Sequence, residues 1–281
     1  MPEVEQNTDA VLVTSHPPLS KQLRRDWRGN LVTVEYAEKC TQSWRYCFSN
    51  VLSVNSDLER GLGIERLIDR VTYVDTDLMR QVGKPVVLLD DLLQVSDGVS
   101  AVAVINADVY LSPSAGTLTS GIAGNRFFAE RRTDTNEIDS QGGIPYRKGY
   151  DFIVVPSNLI SSISGTDFAI GVPWWDHFVP LALIFSGAAP IGSGIGTAFS
   201  LSHEERWSGE VWHSYGDIFV REIQKRLPKV RKRGAQFALY FAVFALCSSI
   251  LRLFRQRYVS TLALTILSRA NVWLIECNRV Q

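Results

Sequence analysis

The stretch that decides the fold is AVAVI at residues 101–105, followed by Asn106-Ala107-Asp108. The five residues are apolar without alternation, which predicts a strand that is buried on both faces. Strands of this kind lie at the centre of parallel sheets. The polar residues after it predict that the strand ends at an edge of the sheet, where its loop is open to solvent.

The chain around this strand alternates between strand patterns and helix patterns. Apolar runs at residues 31–34, 51–54 and 71–74 predict strands, and helical spacing appears at residues 35–48, 58–68 and 86–93. Later in the chain, residues 126–129 and 151–155 predict strands, and residues 173–185 and 209–227 predict helices. The alternation predicts the α/β class, with a mostly parallel central sheet flanked by helices.

The composition limits the class of function. The 281 residues are 46% hydrophobic, enough for one sizeable core, and 29 basic residues balance 29 acidic ones. The net charge of zero gives no global field that would attract nucleic acid. The four cysteines form no Cys-x-x-Cys pair, which favours reduced thiols. The start of the chain is acidic and polar, unlike a secretory signal. We therefore expect a cytoplasmic protein.

Two polar clusters follow predicted strands. Asn55 and Ser56 follow one strand, and Asn106 and Asp108 follow the most apolar one. In open α/β sheets, ligands bind outside the carboxyl ends of the strands. An aspartate at that edge can hold a divalent cation, which in turn neutralises a diphosphate. An alternative of equal weight is that Asp108 only caps the following turn.

The string Trp174-Trp175-Asp176-His177 begins a predicted helix. Two adjacent tryptophans point in different directions, so one of them could form a platform for a sugar ring or a base. Asp176 could accept a proton from a hydroxyl group. The alternative is a core tryptophan with an aspartate that complements the helix dipole.

His203 lies beside Glu204 and Glu205 in a third polar cluster, which could bind a metal. The second histidine of a His-Glu-x-x-His site is missing, so a zinc protease is disfavoured. The chain also lacks a Gly-x-x-x-x-Gly-Lys-Ser/Thr phosphate loop and a Gly-x-Ser-x-Gly nucleophile turn.

The order of these strings resembles a group of glycosyltransferase-like proteins with the GT-A type nucleotide-diphospho-sugar transferase fold. The strings are SVNS at 53–56, INADVYL at 105–111, GYDF at 149–152, IGVPWWD at 170–176 and HEERWS at 203–208. The resemblance covers about residues 30 to 220. It implies a Rossmann-like nucleotide-sugar-binding domain at residues 1–228, with a helical tail at residues 229–281.

The resemblance also implies roles for single residues. In GT-A enzymes an Asp-x-Asp motif binds Mn²⁺ or Mg²⁺ and the donor diphosphate. Asp108 would then bind the metal, His203 would be a later metal ligand, and Asp151 and Asp176 would lie on the acceptor side. Asn55, Ser56, Asn106, Trp174 and Trp175 would contribute to donor binding. Asn106 replaces the first aspartate of the motif, which puts metal dependence in doubt.

Two functions follow from the resemblance. The first is transfer of a sugar from a nucleotide-diphospho-sugar to a glycan, a lipid-linked acceptor or another hydroxyl. The second is non-catalytic binding of a nucleotide or a carbohydrate, which the missing aspartate favours. A third interpretation, a membrane-bound structural protein, rests on the tail alone.

The tail carries an uncharged apolar stretch at residues 235–251, with basic residues before and after it. Such a stretch is at the short end for a membrane span. Its basic ends are typical of a helix that lies in the headgroup region of an anionic bilayer. The alternative is a core helix that forms a hairpin with residues 258–267. We expect peripheral contact through residues 229–257, at the cytoplasmic face of a membrane.

Overall fold

A computed structural model describes residues 7–21, 24–26, 28–76, 85–94, 98–120, 122–138, 140, 142–192, 196–202, 208–230, 234–253 and 257–280. Eleven strands lie within these residues: β1 Asn7–Thr14, β2 Phe48–Ser56, β3 Val71–Val74, β4 Ala101–Ile105, β5 Tyr110–Leu111, β6 Arg126–Glu130, β7 Thr133–Thr135, β8 Ile144–Pro145, β9 Phe152–Pro156, β10 Ala189–Ile191 and β11 Ala198–Leu201. The α-helices of the same residues are α1 Thr33–Cys47, α2 Leu89–Leu93, α3 Ser114–Thr119, α4 Trp175–Phe185, α5 Gly209–Arg226, α6 Ala235–Leu253 and α7 Arg257–Cys277.

The main sheet of the described chain has seven strands in the order β10-β6-β9-β4-β1-β2-β3. The neighbours β10 and β6, and β4, β1, β2 and β3, pair in parallel. Strand β9 is antiparallel to both β4 and β6. A smaller sheet of order β5-β11-β7-β8 lies beside the carboxyl end of β4. The predicted α/β class, with a mostly parallel sheet flanked by helices and a helical C-terminal region, is confirmed.

The central strand β4 is buried on both faces, as its sequence predicts. Val102 and Val104 point into one hydrophobic cluster, which includes residues of α4 to α7. Ala103 and Ile105 point into a second cluster on the opposite face, which α1 covers. The sheet is therefore the middle layer of three, because each of its faces is hidden by helices.

Two local predictions in the first half are wrong. Residues 31–34 do not form a strand, since α1 begins at Thr33 and Val34 is exposed. A helix forms here because the buried residues Tyr36, Cys40 and Trp44 recur at helical spacing. The predicted helix at residues 58–68 appears as two 3-10 turns, Asp57–Glu59 and Ile64–Arg66.

The first strand was not predicted. Its only continuous apolar run is residues 10–13, and residues 7–9 before them are polar. In the structure, β1 pairs in parallel with β2 and with β4, from Val11 to Val13 on both sides. The apolar run of β1 is short, and the segment becomes a central strand because it pairs with two strands that are distant in sequence.

The tail forms a hairpin of α6 and α7 that packs against the rest of the protein. Phe237, Tyr240, Phe244 and Leu264 belong to the same buried cluster as the sheet residues Val102 and Val104. The proposed boundary between residues 228 and 229 therefore does not divide the core. By length and composition alone, α6 and residues 258–277 could each cross a membrane. Within an apolar stretch of 18 residues in each, 28% and 44% of the residues are buried in the protein.

Candidate functional site

The candidate site lies at the point of the sheet where the strand order reverses, between β1 and β4. Strand β1 is flanked by β2 on one side and β4 on the other, so the loops after β1 and β4 diverge. The hydroxyl of Thr14, the last residue of β1, donates to the carbonyl oxygen of Ile105 at 2.9 Å. The segments that follow, with His16 and with Asp108, therefore start from the same point of the sheet edge.

Asp108 follows the carboxyl end of β4, where the sequence places it. Its Oδ2 atom accepts a hydrogen bond from Nη2 of Arg24 at 2.6 Å, and both side chains are largely buried, 20% and 12% exposed. The hydroxyl of Tyr36 donates to the backbone oxygen of Asp108 at 2.6 Å. The turn after β4 is thus fixed to α1, and its carboxylate is paired with an arginine.

A second ion-pair network begins at Asp151, just before β9. Its Oδ1 atom accepts from Nδ2 of Asn106 at 2.5 Å and from Nη1 of Arg132 at 3.2 Å. Nε of Arg132 donates to Asp134 at 2.8 Å. Burial opposes the charge of Arg132, but Asp151, Asp108 and Asp134 outweigh it and raise the pKa of this guanidinium. Burial, countered by Arg132, raises the pKa of Asp151.

Asp176 lies in the first turn of α4, next to this network. Burial and the nearby Asp151 carboxyl raise its pKa well above the usual range. The Asp176 carboxyl can lie close to the backbone of residue 149 because Gly149 has no side chain. A Cβ atom on Gly149 would lie within 1.6 Å of Oδ2 of Asp176. The structure therefore brings together four predicted site residues: Asn106, Asp108, Asp151 and Asp176.

Both predicted donor-binding tryptophans lie in the core. Trp174 and Trp175 are at most 1% exposed. The indole nitrogen of Trp174 donates to the backbone oxygen of Trp212 at 3.1 Å, and its ring packs against Phe219. Neither ring has a face open to a sugar or a base, so their placement does not support the platform prediction. Trp174 has a positive φ of 80°, a strained conformation that sets the start of the helix carrying Asp176.

Asn55 and Ser56 are also buried, at the end of β2. Asn55 Nδ2 donates to the backbone oxygen of His16 at 2.9 Å and to Glu59 at 2.8 Å. Ser56 accepts from the backbone of Leu58. The Asn55 side chain thus holds the loop after β1 in place, whereas the Ser56 side chain caps the turn that follows β2.

The predicted metal site is not supported. His203 lies outside the described residues. Within the described part of the chain, no group of three His, Cys, Asp or Glu side chains could hold a metal ion. Asp108 is paired with Arg24, and the Asn106 amide is committed to Asp151. These donors do not fit a divalent cation, so we assign no step of the chemistry to one.

Three buried polar atoms around Asp108 have no hydrogen-bond partner among the described residues: Nε2 of His16, Nη1 of Arg24 and Oδ2 of Asp151. Arg24 is bonded to Asp108, and the other two residues interact with it electrostatically. Buried polar groups without partners are rare, and a bound ligand or water is a common reason for them. The cluster therefore has the properties of a site that binds a polar ligand.

The pH dependence of protein stability tests whether the His16 ring is buried in its neutral form. Burial lowers its pKa to about 4, against a backbone hydrogen bond to Pro17 that raises it. The unfolded chain, with a pKa of 6.5, binds the proton first, so stability falls as pH falls from 6.5 to about 4. We expect this histidine alone to contribute a loss of about 3 kcal/mol. Urea titrations across this range should show a shallower loss in His16→Asn, and an unchanged slope would contradict the buried neutral ring.

Arg24, Arg132 and His16 were not predicted as site residues from the sequence. His16 and Arg132 each follow a strand at its carboxyl end, β1 and β6, so the rule that pointed to Asp108 could have found them. It failed for His16 because β1 was not predicted. Arg24 lies between strands, 84 residues from its partner, and no local pattern indicates it.

No protein-family model matches the chain, and no curated protein matches its sequence. Among solved structures, the chain is similar to the inositol-1-phosphate CTP transferase from T. maritima, with a TM-score of 0.43 and 10% identity over 78% of this chain and 97% of the other. It is also similar to a nucleotidyl transferase from Methanothermobacter thermautotroptrophicus, with a TM-score of 0.39 and 15% identity over 78% and 99%. Both are transferases of nucleotides by name, but similarity at this level assigns no activity to the present chain.

Proposed function

We propose that this chain is a nucleotide-binding transferase, and specifically a glycosyltransferase that uses a nucleotide-diphospho-sugar. The acceptor would be a hydroxyl group of a glycan or of a lipid-linked precursor. One observation carries the proposal: Asp108, Arg24, Arg132, Asp151 and Asp176 converge at the edge where the sheet direction reverses, around buried polar atoms without partners. Such edges are where open α/β sheets bind ligands.

The arrangement supplies the groups that transfer requires. Asp176 or Asp151 would take the proton of the acceptor hydroxyl, and the nearby Arg132 favours the ionised form that a base requires. The hydroxyl oxygen would then form a bond to the anomeric carbon of the sugar. The bond from that carbon to the diphosphate would break, and the nucleoside diphosphate would leave with the electron pair. Arg24 and Arg132 are the cations placed to stabilise its charge.

A second candidate function is binding without turnover. Two features favour it. Asn106 replaces the first aspartate of the Asp-x-Asp motif, and the Asp108 carboxylate is already paired with Arg24. The two candidates share the binding site but differ in chemistry. Hydrolysis of the donor by water in the absence of an acceptor distinguishes them.

The test is a calorimetric titration with a panel of UDP- and GDP-sugars, in Mn²⁺ and in EDTA, followed by an assay of donor hydrolysis. We expect affinity for one nucleotide, retained in EDTA because arginines supply the positive charge, and slow hydrolysis. Affinity without hydrolysis would favour the binding protein. No affinity for any member of a broad panel would contradict both candidates.

Arg24→Met should weaken nucleotide binding roughly 10- to 100-fold, because a charge-assisted hydrogen bond is lost. Arg25→Met is the matched control, since Arg25 is exposed and donates to the backbone oxygen of Gly29 at 2.7 Å. Equal affinities of the two variants would show that Arg24 does not contact the nucleotide.

A further inference from the structure

The outer face of α6 is apolar and exposed. Leu239, Leu246 and Leu253 are 56%, 62% and 76% exposed, and they recur every seven residues along one line of the helix. The exposed residues between Leu239 and Ser249, other than the leucines, are small and uncharged, and the exposed Arg252 lies at the end of the line, beside Leu253. An exposed helix surface from Leu239 to Ser249 that carries no charge is unusual for a face that meets only water.

Helix α7 extends this surface. Tyr258, Leu262, Ile266 and Trp273 are its exposed large apolar residues, and the first three follow one another at intervals of four. The only charged side chain exposed on α7 within residues 258–277 is Arg269, a cation with a long apolar stem. The two helices contact each other, and we call their exposed large apolar residues, Leu239, Leu246, Leu253, Tyr258, Leu262, Ile266 and Trp273, the hairpin face.

The charge of the chain is strongly divided between its two parts. Residues 229–281 contain nine Lys or Arg residues and a single acidic residue, Glu276, which gives them a net charge of +8. The first 228 residues therefore carry −8. Basic residues cluster at both ends of α6, at positions 229–233 and 252–257. An apolar face with cationic ends complements a surface that is apolar below a layer of negative charge.

The inner face of the hairpin decides whether it could span a membrane. Tyr240 packs against Phe185 of α4, with ring centroids 6.1 Å apart, and its hydroxyl donates to Asn271 at 2.9 Å. Nε2 of His177 lies 3.1 Å from the hydroxyl of Ser268 in α7. A spanning hairpin would break these buried contacts and expose the core of the sheet. The hairpin can therefore meet lipid only with its outer face.

We propose that the hairpin face lies on an anionic lipid bilayer, with its leucines at the level of the acyl chains and the net positive charge of residues 229–281 attracting the headgroups. The protein remains folded around its sheet and does not cross the membrane. This proposal rests on exposure and charge in the tail and is independent of the chemistry at Asp108.

Flotation with vesicles tests the proposal on the full chain. The probe is a vesicle of phosphatidylcholine mixed with phosphatidylserine, compared with phosphatidylcholine alone. We expect flotation with the anionic vesicles only, and release by high salt, because screening weakens attraction to the headgroups. A protein that stays at the bottom with both vesicles, or that needs detergent for release, would overturn a peripheral anionic contact.

Leu246→Glu places a negative charge at the middle of the hairpin face and should lower vesicle partitioning about tenfold or more. Leu58→Glu is the control, because Leu58 is also exposed, at 58%, but lies after β2. Circular dichroism establishes that both variants fold. Equal flotation of the two variants would overturn the assignment to this face. So would a stable dimer that Leu246→Glu dissolves in the absence of lipid.

Discussion

Asp176→Asn is expected to lower the proposed sugar transfer about 10²- to 10⁴-fold and to raise the free energy of unfolding at neutral pH. The activity falls because an amide cannot accept the proton of the acceptor hydroxyl. The stability rises because the folded protein holds this carboxyl in a buried place beside Asp151, which disfavours its ionised form. We expect a gain of about 1 kcal/mol, in the range of substitutions that relieve a strained functional site.

The pH dependence of this gain follows from the direction of the pKa shift. The pKa of Asp176 is raised on folding, so above the unfolded value of 3.8 the unfolded chain releases the proton first. The wild type therefore loses stability as pH rises from that value, and the asparagine variant does not. Chemical denaturation of both proteins should give equal stabilities at acid pH and a difference that grows toward neutral pH. A variant that is less stable than wild type at neutral pH would show that the carboxylate is a structural ion-pair partner.

Gly149→Ala tests the same carboxyl without changing it. The added Cβ would collide with Oδ2 of Asp176, and Gly149 does not have a positive φ, so the backbone itself tolerates alanine. We expect Asp176 to move and the proposed sugar transfer to fall by at least about tenfold, because a small displacement of a catalytic group is costly. Nucleotide affinity at Arg24 should stay within a factor of about two. Gly142→Ala is the control, because the nearest atom to its Cβ is 4.0 Å away. Full activity of Gly149→Ala would remove Asp176 from the reaction.

Removal of residues 229–281 is expected to abolish folding. The tail supplies Phe237, Tyr240, Phe244, Leu264 and Leu267 to the core that covers one face of the sheet. Loss of one large buried side chain costs about 2–5 kcal/mol, so the loss of five, about 10–25 kcal/mol, equals or exceeds the stability of a typical domain, about 5–15 kcal/mol. The truncated chain should be insoluble or lack a cooperative thermal transition. A soluble, cooperatively folded fragment 1–228 would show that the tail is a separable domain, as the sequence alone suggested.

A single substitution gives a finer measure of the same contact. Leu264 of α7 is fully buried and lies against Gly216 of α5, where a Cβ would approach its Cδ2 atom within 2.7 Å. We expect Leu264→Ala to cost about 2–5 kcal/mol. Leu262, two residues earlier and 62% exposed, provides the control, and Leu262→Ala should stay within about 0.5 kcal/mol. Equal effects of the two variants would contradict the packing of α7.

The sequence by itself determined the class of the fold and part of the candidate site. The uninterrupted apolar run of β4 requires burial on both faces, and only a sheet covered by helices on both sides provides it. The polar residues after that run must then lie at the sheet edge, which places Asn106 and Asp108. Asp151, one residue before the buried strand β9, reaches the same edge only because β9 runs antiparallel to β4, a pairing that the sequence did not predict.

The tertiary structure decided what each side chain does there. Whether Asp108 faces a metal or an arginine depends on Arg24, which no local pattern connects to it. The two tryptophans were ambiguous because an aromatic pair has the same sequence pattern in a core and on a platform. The contacts of Trp174 with Trp212 and Phe219, and the burial of Trp175, place both in the core. The tail is similar, since an apolar helix suits either lipid or a protein core. Only packing shows that α6 buries Tyr240 inward and leaves Leu246 outward, because the direction of a side chain is set by contacts between distant parts of the chain.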